Sequence, residues 1–130
     1  MRQRLILALF VAILGACPAQ AAEWRQFGQG RSGGIFYYDA GSVVRQSGNT
    51  RVWVRIDLSG VRTDPAREAR ELWSFNCAER TMMVLSLTDY APDGGIIRSR
   101  TNRDNPYLYD PVVPDSQAER ALKLACEAAE

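Results

Sequence analysis

The side chains that could perform chemistry are carboxylates, cysteines and arginines, because the sequence contains no histidine. Without histidine the chain cannot form a Ser-His-Asp or Cys-His catalytic unit, nor a histidine-ligated metal site. Paired carboxylates can hydrolyse glycosides, but the aspartates are scattered and mostly lie at expected turns or caps: Asp39, Asp57, Asp89, Asp110 and Asp115. The sequence therefore predicts no catalytic residue and a protein that is not an enzyme, with a periplasmic hydrolase as the least favoured alternative.

Two short motifs resemble ligand-binding loops. Gly28–Gly33 matches G-x-G-x-x-G, but the dinucleotide fingerprint needs a helix to begin there, and the β-prone Ile35–Tyr38 follows instead. Asp89–Asp93 with Gly94 lacks the alternating acids and the distal glutamate of a calcium loop. We predict a hairpin loop and a turn at these positions, and we expect no cofactor and no metal ion.

Arg51, Trp53 and Arg55 lie on one side of the clearest predicted strand. Tryptophan and arginine are enriched at binding hot spots, so these three residues are a candidate binding face for a protein partner if the helix covers the other side. Two alternatives stay open. A neighbouring aromatic residue covers Trp53 with the arginine stems alongside, or the sheet forms a homodimer.

The first 21 residues predict a secretory signal. Two arginines precede the apolar run Leu5–Leu14, which is shorter than the about 20 residues of a membrane span. Cleavage after Ala19-Gln20-Ala21 would start the mature chain at Ala22. Leu14-Gly15-Ala16-Cys17 instead fits a lipobox that would place a lipid on Cys17. We favour the first, with the lipid anchor and an uncleaved anchor as alternatives. Both cleavage sites predict export to the periplasm or the outer membrane and cell surface.

Export also affects the charge and the cysteines. Removal of two arginines leaves 16 − 2 = 14 basic against 15 acidic residues, a balance that argues against a nucleic-acid partner. The remaining Cys77 and Cys126 predict a disulfide, because an even pair in an oxidising compartment is usually joined. Two free thiols are the alternative, and the absence of a C-x-x-C spacing disfavours a redox pair.

The mature chain predicts several strands followed by one helix. Thr50–Leu58 alternates apolar and polar residues, which is typical of a half-buried strand. Shorter candidates precede and follow it: Glu23–Phe27, Ile35–Tyr38, Leu72–Cys77, Thr81–Tyr90 and Ile96–Asn102. Short connections between strands favour antiparallel pairing. Ser59–Arg70 and the proline-rich Asn105–Pro114 are predicted loops.

Ser116 and Glu119 form a predicted capping box that begins a helix reaching Ala129. Its apolar face is narrow and mostly alanine, with Cys126 on it, so a bond to Cys77 would pin the helix to the sheet. The predicted fold is α+β: an antiparallel meander of five to six strands, with a C-terminal helix packed on it and tied by a disulfide. Residues 22–130 are predicted to form a single domain.

A set of short motifs in this order resembles the surface-adhesin protein E family of Gram-negative bacteria. The motifs are Trp24, Tyr38-Asp39 with Ser42-Val43, Val52-Trp53-Val54, Asn76-Cys77-Ala78-Glu79-Arg80-Thr81, Tyr90 with Asp93-Gly94, Pro114-Asp115-Ser116 and Cys126. The resemblance spans essentially the whole mature chain. The Asn-Cys-x-x-Arg-Thr stretch, the Pro-Asp-Ser stretch and the terminal cysteine are together its most specific part.

The resemblance implies an outer-envelope domain with an antiparallel sheet, a C-terminal helix held by the cysteine pair, and often a dimer. Its best-known member is a lipoprotein that binds host epithelium and matrix proteins. Members usually carry a tryptophan shortly before the Pro-x-Ser stretch, where this chain has Tyr107-Leu108-Tyr109-Asp110. Lys123 is the one lysine of the chain, so a lysine-dependent host contact is not expected.

These observations lead to an expected function and one main alternative. We expect a non-enzymatic cell-envelope protein that binds a protein partner, which could be a host matrix protein. It would meet the membrane only if the alternative cleavage leaves a lipid on Cys17. The alternative is a periplasmic accessory or envelope-stress protein with no host contact. Adhesion does not follow from a fold alone, so the function has to be argued from the residues of a binding site.

Overall fold

The computed structural model describes residues 20–128, and the predicted signal up to position 19, with Cys17, lies outside this range, as does Ala129. The described chain forms one sheet and one α-helix, with two short 3-10 turns at Ala40–Ser42 and Pro106–Leu108. The elements follow in chain order: β1 (Trp24–Gln29), β2 (Ile35–Asp39), β3 (Val44–Gln46), β4 (Asn49–Asp57), β5 (Glu68–Asn76), β6 (Thr81–Tyr90), β7 (Ile96–Thr101), β8 (Asp110–Pro111) and α1 (Gln117–Ala128).

The sheet is an antiparallel meander, as predicted, with the order β1-β2-β4-β5-β6-β7. It has eight strands rather than five to six because two short strands extend its ladders. β2 pairs with Val54–Asp57 of β4, and β3 pairs with Asn49–Arg51 of the same strand. In the same way β8 pairs with the first two residues of β6, and β7 pairs with its second half.

One predicted strand begins earlier than expected. Glu68–Arg70 was predicted to be loop because it is polar, yet it forms the first part of β5. Each of its residues pairs with one in β4, as Glu68 does with Asp57 and Arg70 with Arg55. Pairing along the neighbouring strand therefore extends β5 through a segment that has no apolar pattern of its own.

The helix packs on the face of the sheet that carries the aliphatic residues of β4. β-branched residues suit an extended chain and place their side chains against the helix from alternate positions. The buried cluster consists of Val52, Val54, Trp73, Phe75, Ala121, Leu122 and Ala125. Phe75 is fully buried, and burial of a side chain of this size contributes about 1.5–3 kcal/mol.

The start of α1 has the predicted capping box. Ser116 Oγ accepts the Glu119 backbone N–H at 3.2 Å, and Glu119 reaches back to accept the Asp115 N–H at 2.9 Å. The next side chain, Gln117, donates to the Gln29 carbonyl at 2.9 Å and so joins the helix to β1. The two bonds of the capping box pair the backbone N–H groups of Glu119 and Asp115, which have no partner inside the helix.

The predicted disulfide joins Cys77, just after β5, to Cys126 in the last turn of α1, with a Cα–Cα distance of 5.9 Å. The helix is therefore held to the sheet at its start by Gln117 and near its end by a covalent bond. This compensates for a contact face that consists largely of alanine.

The two glycine-rich segments form the predicted turns. The segment from Gly30 to Gly34 closes the β1–β2 hairpin, with Gly33 at a φ of 100°, and strand follows it directly. Gly94 has a φ of 85°, and Gly95 N–H donates to Asp93 Oδ1 at 2.9 Å. Positive φ values favour glycine at both positions. Within residues 20–128, no helix is long and apolar enough to cross a membrane.

Candidate functional site: the outer face of the sheet

The face of the sheet that points away from α1, here called the outer face, carries a group of aromatic and arginine side chains. Its residues follow from strand alternation and register, since Val52 and Val54 point towards the helix and Trp53 and Arg55 therefore point away. Register places the neighbouring side chains of the other strands on the same side. The group consists of Trp24, Tyr37, Trp53, Arg55, Arg70 and Tyr90.

The edge strand β1 contributes to both faces by ordinary alternation, and it carries a bulge before Gly28. The register shifts between Gln26 and Gly28, so Phe27 is the extra residue. Phe27 points into the core, where its ring lies 5.9 Å from that of Phe36. Trp24, before the bulge, stays on the outer face.

The arginines of the outer face lie over aromatic rings. The guanidinium carbon of Arg55 is 4.3 Å from the centre of the Tyr37 ring and 5.7 Å from that of Trp24. That of Arg70 is 5.3 Å from the centre of the Tyr90 ring. Such cation–π contacts contribute about 0.5–1 kcal/mol each at exposed sites.

Glu68 connects the two arginine groups. Its carboxylate lies 3.5 Å from Arg55 Nη1 and 2.6 Å from Arg70 Nε. A charge-assisted contact of this kind limits the rotamers that the two guanidinium groups can adopt. The polar side chains of the outer face are therefore ordered before any partner arrives, which reduces the entropy lost on binding.

Beside these contacts the outer face has a depression of about 320 Å³. Trp53 lies in it with 36% of its surface exposed, and no aromatic or guanidinium group among residues 20–128 stacks on its indole. The depression is lined by Ala22, Trp24, Asp39, Trp53, Arg70, Thr88 and Tyr90. Trp53 is thus the open aromatic side chain of the outer face.

Arg51, the third residue of the predicted binding face, has a different environment. Its Nη1 donates to Gln46 at 2.8 Å and its Nη2 lies 2.7 Å from Asp104 Oδ2. The segment between β7 and β8 crosses the end of the outer face at this point and covers the side chain. The predicted trio is therefore divided: Trp53 and Arg55 lie with the aromatic group, and Arg51 holds the covering segment.

Tyr109, at the end of the same segment, also holds it to the sheet. Its hydroxyl lies 2.7 Å from Ser74 Oγ, donates to Asp104 Oδ1 at 2.9 Å and accepts from Asn49 at 3.0 Å. Burial raises the pKa of Tyr109 above its usual value, and the Asp104 carboxylate acts in the same direction. The phenol therefore stays protonated and keeps its hydrogen bonds at physiological pH.

The scattered aspartates have separate local contacts. Asp39 accepts the Gly41 N–H, and Asp89 pairs with Arg98. Hydrogen bonds from the side chain and backbone of Ser59 lower the pKa of Asp57. Within residues 20–128, no three cysteine or acidic side chains are grouped as ligands for a metal ion.

The sequence suggested Trp53 and Arg55 but not Trp24, Tyr37, Arg70 and Tyr90 as members of the same group. The sequence gives little indication of these four residues, because their grouping depends on the register between strands. Arg70 lay in a predicted loop, and the pairing of Tyr37 with Arg55 cannot be read from either strand alone.

Comparison with known proteins agrees with the fold. The chain matches the family described as Surface-adhesin protein E over residues 24–127. No curated protein sequence matches it significantly.

Two solved structures of Haemophilus influenzae protein E resemble the chain. Crystal form II of that protein is 16% identical, with a TM-score of 0.50 over 71% of this chain and 80% of that chain. Protein E from non-typeable Haemophilus influenzae is 15% identical, with a TM-score of 0.47 over 87% of this chain and 92% of that chain. The first similarity supports the fold, and the family match covers residues 24–127 of the 130. The chain therefore belongs to the surface-adhesin protein E family.

Proposed function

We propose that this chain is an exported, non-enzymatic cell-envelope protein that binds a protein partner through the outer face. The partner we propose is a host or extracellular-matrix protein. The observation that carries the proposal is Trp53, an exposed indole in a depression bordered by ordered arginine and aromatic side chains. Family membership supports an adhesin-like role.

The composition of the outer face suits a protein partner. Tryptophan, tyrosine and arginine dominate binding hot spots because each offers a large contact area together with a polar or charged group. Arg70 is half exposed and its Nε is occupied by Glu68, so its Nη atoms are available to a partner carboxylate or carbonyl. A sheet with these side chains preorganised can bind without large rearrangement.

Substitution of Trp53 tests the binding face. The mature chain would be applied to coated basement-membrane extract and to purified matrix glycoproteins. We expect Trp53→Ala to weaken binding about tenfold or more, as for a hot-spot residue. The matched control is Tyr107→Ala, which removes an aromatic side chain that is 93% exposed and does not line the depression. Equal binding by the Trp53 variant and the native chain would rule out the outer face as the surface that binds the partner.

Exposure on the cell separates adhesion from the periplasmic alternative. Protease added to intact cells should digest a surface protein and spare a periplasmic one, with a known periplasmic protein as the internal control. Complete protection of the chain in intact cells, followed by digestion after the outer membrane is opened, would favour the accessory or envelope-stress role. Intact mass of the extracted protein would distinguish a start at Ala22 from a lipid on Cys17.

A further inference from the structure

A second surface lies at the outer edge of β6, where the strand ladder is interrupted. β8 pairs with Thr81 and Met82, whereas β7 pairs with β6 from Ser86 onwards. Between the two strands the chain leaves the sheet, and a groove of about 480 Å³ opens there, here called the rim groove. It shares no lining residue with the depression that contains Trp53.

The rim groove is mostly apolar. Met82, Met83 and Val84 of β6 form one side, and Leu108, Pro111 and Val113 lie along the other. Leu108 and Val113 are 58% and 65% exposed, although both are aliphatic. Exposed aliphatic side chains grouped around a concave surface mark an interaction site, and the flexible thioethers of methionine adapt to different partner side chains.

Hydrogen bonds hold the walls of the rim groove in place. Asn102 donates from its backbone to the Leu85 carbonyl at 2.7 Å and from its side chain to the Val84 carbonyl at 2.9 Å. Val112 N–H donates to the Arg80 carbonyl at 3.0 Å. The rim groove is therefore formed before any ligand binds, and its volume lies in the usual range for ligand sites.

One charged residue lines the rim groove. Asp110 is exposed, and within residues 20–128 no cation forms a salt bridge with its carboxylate. Arg80, on the adjoining turn, is occupied by Glu119 at 2.8 Å. A ligand with apolar side chains next to a basic one would satisfy both the aliphatic walls and this free carboxylate.

We propose that the rim groove binds an extended segment of a partner protein in which an apolar residue lies beside an arginine or lysine. This proposal does not depend on the outer face, because the two surfaces are separate. The apolar side chain contacts Met82 and Val113, and the basic side chain meets Asp110, which pairs with Met82 across the strands. The rim groove thus gives the protein a second partner-binding surface.

The probe is a synthetic array of nine-residue peptides in which a leucine or phenylalanine is placed next to a basic, an acidic or a neutral residue. We expect the mature chain to bind the apolar-basic peptides preferentially. In solution the best of them should bind about tenfold more weakly to the Leu108→Ser/Val113→Ser variant, given the apolar area lost. Asp110→Asn should weaken binding about two- to fivefold, as expected for an exposed ion pair.

The substituted side chains are exposed, so these variants should fold, which near-ultraviolet circular dichroism verifies. Ile96→Ser is the matched control and should leave peptide binding unchanged, because Ile96 is an aliphatic side chain that is 65% exposed and lines neither the rim groove nor the depression. The proposal is overturned by any of three results: absence of saturable binding, equal binding of apolar-acidic peptides, or loss of binding in the Ile96 variant. Sedimentation that shows a dimer of the native chain but a monomer of Leu108→Ser/Val113→Ser would also overturn it, since a second copy would then fill the rim groove.

Discussion

Two tyrosines separated by one residue have opposite environments. Tyr107 is 93% exposed at the tip of a 3-10 turn, whereas the Tyr109 hydroxyl contacts Ser74, Asp104 and Asn49. Ser74 is fully buried. A buried polar group that loses its partner costs more free energy than the hydrogen bond itself contributes.

We therefore predict that Tyr109→Phe lowers the free energy of unfolding by about 1–3 kcal/mol. Urea unfolding followed by circular dichroism measures this change. Tyr107→Phe removes the same atom from an exposed ring and should leave the midpoint unchanged. Equal midpoints for both variants would show that the Tyr109 network adds nothing to stability.

Glu71 is a partly buried carboxyl on the helix side of the sheet. Burial raises its pKa above the usual 4.5, and Asp89 acts in the same direction. The Trp73 indole, which donates to Glu71 at 2.6 Å, and Arg98 lower the pKa. Because the folded chain holds this proton more tightly than the unfolded chain does, the resulting stabilisation is complete below pH 4.5 and is lost as the pH rises through the folded pKa.

Glu71→Gln should therefore melt at the same temperature as the native chain at about pH 3.5 and at a higher temperature at about pH 7. Glutamine keeps the volume and the oxygen that accepts from Trp73. Glu79→Gln removes the same charge from an exposed position and is the matched control. A lower melting temperature of the Glu71 variant at neutral pH would show that the carboxylate is stabilised in the fold.

At the scale of elements, the sequence predicted those strands whose own residues are β-prone or alternate. β4 was found almost to the residue because one of its faces is apolar, and β6 because it is a long run of β-prone and apolar residues between two turns. The start of β5 was missed because Glu68 and Arg70 owe their strand conformation to pairing with Asp57 and Arg55. β3 and β8 have three and two residues, too few for a periodic pattern.

The candidate site was predicted in part for the same reason. Alternation identifies Arg51, Trp53 and Arg55 as one side of β4, but it does not say which segment crosses that side. The segment that pairs Asp104 with Arg51 is 53 residues away along the chain. A contact of this sequence distance follows from the path of the whole chain, so local pattern could not separate Arg51 from the other two.

The capping box of α1 offers a test at this scale. Since the helix packs through a narrow alanine face, its first turn depends on Ser116 and Glu119. We predict that Ser116→Ala lowers the free energy of unfolding by about 1 kcal/mol, the usual contribution of such a cap. Urea unfolding measures this. The exposed Ser32→Ala, in the β1–β2 loop, is the control, and an equal midpoint for both variants would contradict the role of the cap.

At the scale of the molecule, the two faces of the sheet differ in what covers them. The helix and the apolar cluster cover one, and the other presents the aromatic and arginine group, with the rim groove at its edge. A single helix of 12 residues covers little of so wide a sheet. Packing alone therefore gives this helix little stability, and a covalent link should matter more than in a two-layer fold with several helices.

The Cys77–Cys126 bond closes a loop with a sequence separation of 49. In the chain-entropy model such a loop contributes about 4 kcal/mol, a large part of the about 5–15 kcal/mol typical of a domain. We predict that Cys77→Ser/Cys126→Ser lowers the free energy of unfolding by about that amount. Amide exchange should rise in α1 first, while the central strands stay protected.

Reductant provides the matched control for this prediction. It should lower the melting temperature of the native chain to that of the double variant and leave the double variant unchanged. The outer face is built from strand residues whose pairing does not involve α1, so partner binding should survive reduction at temperatures below melting. If the reduced chain has the same melting temperature as the native chain, the alanine face holds the helix without the disulfide. If reduction abolishes partner binding below the melting temperature, the helix also shapes the outer face.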